Sequence, residues 1–161
     1  MIRLIDIYET YETRGFAVSP EHIQFLYDLL AERPPVSRIS HREMPTLEQH
    51  TAFVMGRPYR AWFLIEAHAR KNGLTFQPVL VGALNVTHQN EIGIFIGRDN
   101  QRQGYAAQAI TALQLQMQPL PDIPSTRAGK WLANVNPENG PSMALFEKLG
   151  AKACQITYVL P

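Results

Sequence analysis

The sequence predicts an α/β protein, with an α+β mixed sheet in three layers: a central, mostly antiparallel sheet and helices on both faces. Three observations lead there. Short β-branched runs alternate with segments whose apolar residues recur at helical spacing. Three strand-like runs, 61–69, 78–86 and 91–97, follow one another with only short breaks, as antiparallel neighbours do. The last third then reads helix, strand, helix, strand, the order that lays helices over a sheet.

The first strand is 2–8, IRLIDIY, apolar and β-branched. Ser19-Pro20-Glu21 starts a helix, with serine at the cap, proline at the first helical position and an acid in the first turn. Ile23, Leu26, Tyr27 and Leu30 continue it at helical spacing until Pro34-Pro35. A shorter helix runs from Pro45-Thr46 to Gly56. The runs 61–69 and 78–86 are strands joined by a turn around Asn72-Gly73, and 91–97 is the third strand of that group. Its Gly93 and Gly97 share one face, a sign that something approaches the strand closely. Residues 104–118 form a helix whose Ala106, Ala109, Ile110, Leu113 and Met117 make an apolar stripe. A strand at 130–136, a helix at 138–150 stopped by Gly150, and a strand at 153–160 complete the chain.

Composition bounds what such a chain does. Its 161 residues suit one domain, 45% are hydrophobic, and 15 Lys+Arg against 14 Asp+Glu leave a net charge of +1. No general basic field draws it to nucleic acid or acidic lipid, so neither is an expected partner. Cys154 is the single cysteine and the five histidines show no metal-ligand spacing, so no metal is expected. No apolar run reaches the length of a membrane span. Arg3, Asp6, Glu9 and Glu12 interrupt the N-terminal apolar residues, which argues against a secretory signal and for a cytoplasmic location.

The stretch EIGIFIGRDNQRQGYAAQAI carries the chemistry. A strand enters a loop whose end, Gln101-Arg102-Gln103-Gly104-Tyr105-Ala106, opens a helix. The first amides of a helix lack partners within it and carry partial positive charge, so a glycine there lets a diphosphate approach the backbone. Helix packing alone also explains a glycine at that place. The loop has no G-x-x-x-x-G-K-S/T and no G-x-G-x-x-G followed by an acid, which sets aside nucleotide hydrolases and dinucleotide folds.

Gln101, Gly104 and Ala106 do fit Q/R-x-x-G-x-G/A. Downstream, ANVNPENGPSMALFEKLGA is similar to N-x-x-N-x-x-S/A-x-x-L-Y/F-E-K-L-G-F, with Asn136, Asn139, Ser142 and Leu145 through Gly150 in register. With both motifs in place, the sequence resembles the Gcn5-related N-acetyltransferase (GNAT) superfamily over roughly residues 78–160. The resemblance implies one acyl-CoA N-acyltransferase domain over 1–161 and a sheet that splays open between the 91–97 and 130–136 strands, with acetyl-CoA as co-substrate in the gap. It implies pantetheine pairing with backbone around Phe95, Ile96 and Gly97, and a diphosphate on the turn from Gln101 and Arg102 through Gln103, Gly104, Tyr105 and Ala106 to Ala107. Asn136, Asn139 and Ser142 would reach pantetheine or phosphates, unless Asn139 only caps its helix.

In this family an amine attacks the thioester directly, so the protein supplies orientation, a proton route and an N–H for the oxyanion, here near Ile96. Many relatives carry a tyrosine where this chain has Phe146, and some carry a glutamate where it has Asn134. Glu91, at the start of the central strand, is the best remaining base, although its offset from Gly104 differs by one residue from that of histone-acetylating relatives. The alternative is a solvated strand-end carboxylate. Asn134 could hold a water and Tyr158 could supply a proton, unless Tyr158 is a core tyrosine whose hydroxyl is already satisfied. His41, Arg42 and Glu43, in the polar loop between the first two helices, and Trp62, beside Tyr59 and Arg60, are the acceptor-side candidates; a solvated, helix-capping loop and a core tryptophan explain the same letters. The expected acceptor is a primary amine of a small molecule, such as an amino sugar or nucleotide-linked amine. A protein or peptide amine and a non-catalytic acyl-CoA-binding domain are the alternatives, and a homodimer is left open.

Overall fold

Alternating apolar residues build one antiparallel sheet with buried residues on both faces. In the computed structural model, which describes residues 2–9, 18–34, 43–71 and 75–155, its strands are β1 (Ile2–Asp6), β2 (Ala61–Lys71), β3 (Thr75–Val86) and β4 (Ile92–Ile96), in that spatial order. One face buries Phe63, Ile65, Leu84, Val86 and Ile92 against Ala109, Ile110 and Leu113. Those three lie on α3 (Tyr105–Gln116) and are the apolar stripe expected for it. Onto the other face, Ile7, Trp62, Leu64 and Ala83 pack Ile23, Leu26 and Leu29 of α1 (Pro20–Glu32) and Val54 of α2 (Leu47–Met55). Helices on both faces of a sheet give the three layers the sequence predicts.

The ends of the helices follow local chemistry. Pro20 opens α1, but the Ser19 side chain makes no capping hydrogen bond. Thr46 does cap α2: its hydroxyl accepts from the Gln49 amide at 3.2 Å, and the Gln49 side chain accepts from the Thr46 amide at 2.9 Å. α4 (Gly140–Lys148) stops at Gly150, whose φ of +80° lets the Gly150 and Ala151 amides reach the carbonyls of Glu147 and Phe146.

Two sequence expectations change. Residues 130–136 do not form a strand; only Leu132 pairs, in a parallel bridge to Glu91. The Ile92 amide donates to the Leu132 carbonyl at 2.8 Å and the Leu132 amide to the Asn90 carbonyl at 3.0 Å, and the pairing ends there. The apolar residues of KWLANVN are partly buried without forming a ladder. Of the expected last strand, residues 153–155 are not strand and 156–160 lie outside the described residues, as does the Asn72-Gly73 turn.

Asn90 holds this arrangement. It is fully buried and left-handed, with φ of 64°. Its side-chain amide donates to the Leu120 and Ala128 carbonyls at 2.9 and 2.8 Å, and its Oδ1 accepts from the Leu120 amide at 2.7 Å. Each such buried group left unpaired would cost about 1–3 kcal/mol, so this side chain fixes where the 118–132 loop, and with it Leu132, meets β4.

Candidate functional site

The site begins at the outer edge of β4. The Gly97 amide donates to the Val81 carbonyl on β3, whereas the Ile92 amide donates away from β3, to Leu132. Antiparallel backbone groups alternate sides, so Gly93 and Phe95 spend theirs on β3, and Ile94 and Ile96 turn theirs outward. This corrects the expectation for Phe95 and Gly97, whose main-chain groups are already paired. Beyond the bridge no described residue pairs with the outer edge of β4. The Ile96 carbonyl accepts from the Gln101 side chain at 3.0 Å, which leaves the Ile94 groups and the Ile96 amide facing outward. Gln101, expected at the phosphates, thus braces the loop against the strand.

After β4 the chain makes a short 3-10 turn, Arg98–Asn100, anchored by the Arg98 amide on the Glu32 carboxylate at 2.8 Å. Arg102 and Gly104 then adopt left-handed conformations, φ 62° and 78°, and α3 starts at Tyr105. Among the described residues, none of the amides from Arg102 through Ala107 has an acceptor; the next one, of Gln108, bonds the Gly104 carbonyl at 3.1 Å. Successive free amides around left-handed residues make an anion-binding concavity, and the α3 dipole adds to it. Nothing acidic lies in the first turn of α3 to fill it. Space is also open: a Cβ on Gly104 would meet only the Gln108 side chain, at 3.8 Å.

At the other end of β4, two candidates chosen separately come together. The Asn134 side-chain amide donates to Glu91 Oε1 at 2.9 Å across the gap, and the Thr87 hydroxyl donates to Glu91 Oε2 at 3.2 Å. Nothing in the sequence joins residues 43 positions apart.

The remaining candidates have structural partners of their own. Asn136 Oδ1 accepts from the Glu138 amide at 2.9 Å, and Asn139 caps α4 through the Ser142 amide at 3.3 Å. Phe146 packs against the main core. What lies close to Gly93 is protein: a Cβ there would sit 2.6 Å from Asn85 Oδ1, and one on Gly97 would sit 3.4 Å from Leu29. Trp62 is a further correction. At 7% exposure it is a core residue, its ring edge-on to Tyr59 at 4.9 Å and to Phe53 at 6.2 Å, so it offers no face to a ligand. Arg60 turns to the Gln118 carbonyl instead. Glu43 is exposed, while His41, Arg42 and Tyr158 lie outside the described residues.

The sequence reading missed a group on the α1–α2 side. The Arg33 guanidinium lies 5.3 Å from the centre of the Phe95 ring, and His50 is buried between Tyr27 and Trp62. Burial, and secondarily the Arg33 charge, hold His50 below its ordinary value, so it is neutral at pH 7. An arginine after a helix and a histidine in a helix have no distinctive spacing, and only Pro34-Pro35 marks where α1 ends. Among the described residues no group of three or more His, Cys, Asp or Glu could hold a metal, and no helix is long and apolar enough to cross a membrane.

Comparison with known proteins bears on the same region. The acetyltransferase (GNAT) domain family matches residues 16–152. No curated protein sequence matches the chain. Solved structures similar to it include AAC(6')-Iy in complex with a bisubstrate analogue, CoA-S-monomethyl-acetylneamine, at 14% identity over 100% of this chain and 96% of that one, TM-score 0.60. A ribosomal-protein-alanine N-acetyltransferase from Brucella melitensis biovar Abortus is similar at 16% identity over 100% and 98%, TM-score 0.60. The spermidine/spermine N-acetyltransferase SpeG from Vibrio cholerae is similar at 17% identity over 93% and 79%, TM-score 0.57. At these identities the likeness is one of fold.

Proposed function

Because the chain belongs to the acetyltransferase (GNAT) domain family, we propose that it transfers an acetyl group from acetyl-CoA to a primary amine of a small molecule, an amino sugar or a nucleotide-linked amine, within a ternary complex. The observation that carries this reading is the run of amides from Arg102 through Ala107 without acceptors among the described residues, at the end of a strand whose outer edge no described residue pairs beyond the bridge at Leu132. A diphosphate suits those amides, and a pantetheine arm leaving it along β4 meets the outward groups of Ile94 and Ile96. The site thus fits the co-substrate.

In this reading the Ile96 amide faces the developing oxyanion. Glu91, five strand residues or about 16 Å along the backbone from Ile96, takes the proton from the attacking nitrogen through a chain of waters that Asn134 helps to hold. An N–C bond forms at the thioester carbonyl, the C–S bond breaks, and the thiolate leaves with a proton from solvent, since Phe146 has none to give. The products are the N-acetylamine and free CoA thiol. A thiol of ordinary pKa about 8.5 is a fair leaving group, so the missing tyrosine does not block the step.

The test is release of free thiol from acetyl-CoA by the purified chain with glucosamine, an aminoglycoside, spermidine and a peptide with a free N-terminal alanine. Amine-dependent thiol with a small molecule is expected. Thiol with the peptide alone would move the acceptor to proteins. If CoA raises the melting temperature and no amine yields thiol, the chain is a binding domain and the catalytic reading fails.

A further inference from the structure

We propose that the Thr87 hydroxyl is a positioning group that fixes the orientation of the Glu91 carboxylate; this rests on the reading of Glu91 as the base. The hydroxyl has one hydrogen to give and two lone pairs. Both lone pairs are used: Thr87 Oγ1 accepts from the Gln89 amide at 3.2 Å and from the Glu91 amide at 3.1 Å. Its hydrogen is thereby directed at Glu91 Oε2, 3.2 Å away. The main chain enforces this geometry. The Thr87 amide donates to the Glu91 carbonyl at 3.0 Å, the Asn90 amide donates to the Thr87 carbonyl at 3.1 Å, and left-handed Asn90 closes the turn.

The two donors to Glu91 arrive from different walls. Thr87 follows β3 and holds Oε2, while Asn134 lies across the gap and holds Oε1. A carboxylate has about four lone-pair sites, so each oxygen keeps one for the proton it is to receive. A glutamate free to rotate would give up side-chain entropy on every productive encounter, and two fixed donors remove most of that cost beforehand. The β-branched Thr87 side chain is itself stiff about χ1, which a longer donor would not be. Asn90 contributes from below: by pinning Leu120 and Ala128 it sets the loop that carries Asn134 to the carboxylate.

The experiment compares wild type, Thr87→Val, Thr87→Ser, Glu91→Gln and the double variant Thr87→Val/Glu91→Gln, using acetyl-CoA and whichever amine of the panel above is acetylated fastest. Thr87→Val is expected to lower kcat about tenfold with KM for acetyl-CoA within about twofold, Thr87→Ser to restore at least about half of kcat, and Thr87→Val to change nothing further on the Glu91→Gln background. If Thr87→Val melts early, Thr87→Ala takes its place. Wild-type kcat in Thr87→Val, or an equal loss on the Glu91→Gln background, overturns the inference and leaves Glu91 as base. Unchanged kcat in Glu91→Gln overturns the reading of Glu91 itself, and the role of Thr87 falls with it.

Discussion

Gly104→Glu is expected to weaken CoA binding by at least about 100-fold, roughly 2.7 kcal/mol, while the protein stays folded. Gly104 has φ of 78°, where an L-residue pays on the order of 1 kcal/mol. A Cβ meets nothing closer than 3.8 Å, so the new side chain fits the apo protein. Its carboxylate would also be welcome there, since an acid at the start of α3 pairs with the dipole and the unbonded amides. That is why binding fails: the chain's own anion occupies the seat of the diphosphate, which would have to expel it and then face its charge. Gly104→Ala carries the conformational cost alone and should lose far less. Calorimetry with CoA on both variants measures the difference, and unchanged affinity in Gly104→Glu would remove the diphosphate from this turn.

Glu91→Gln should lower kcat about 100-fold and move KM for either substrate by no more than about threefold. Glutamine keeps the shape of the side chain and its oxygen can still accept from Asn134, while its amide faces a Thr87 hydroxyl whose lone pairs are already used, so that one hydrogen bond is lost. The backbone bridge at Leu132 does not depend on the side chain and survives, while the capacity to take a proton is lost. Steady-state rates across pH test this. A rate and a pH–rate profile both equal to wild type would show that Glu91 is a structural carboxylate holding Asn134, and the proton must then leave by another route.

The helices and the first four strands were legible because their signals are local. Pro20 at a helix start, Thr46 before an apolar stripe, Gly150 after one, and the apolar runs of β2 to β4 each report on neighbours a few residues away. The loop from Gln101 to Ala107 was legible for the same reason: glycine placement and helix onset are adjacent in the chain. What stayed hidden depends on contacts between distant residues. Asn90 looks like any loop asparagine until the Leu120 and Ala128 carbonyls fold onto it. Glu91 could be nominated from its place at the strand start and Asn134 from the family resemblance, but not their hydrogen bond. Trp62 was open to two readings because its neighbours, Tyr59 and Arg60, suggest a stacking surface in one dimension; in three, Phe53 and His50 pack against the ring and it is a core residue. Residues 130–136 were overread since a short apolar run marks burial as readily as pairing, and only Leu132 forms a bridge.

The central claim is that main-chain amides of the turn before α3 receive the diphosphate of the co-substrate. Amide-resolved NMR during titration with CoA, set against pantetheine without the diphosphate, tests it most directly. The account predicts that CoA moves the Arg102 through Ala107 amides most, with Ile94 and Ile96 following, and that pantetheine leaves the turn unmoved. If saturating CoA leaves the Arg102–Ala107 resonances in place while others shift, the co-substrate sits elsewhere and the account is wrong.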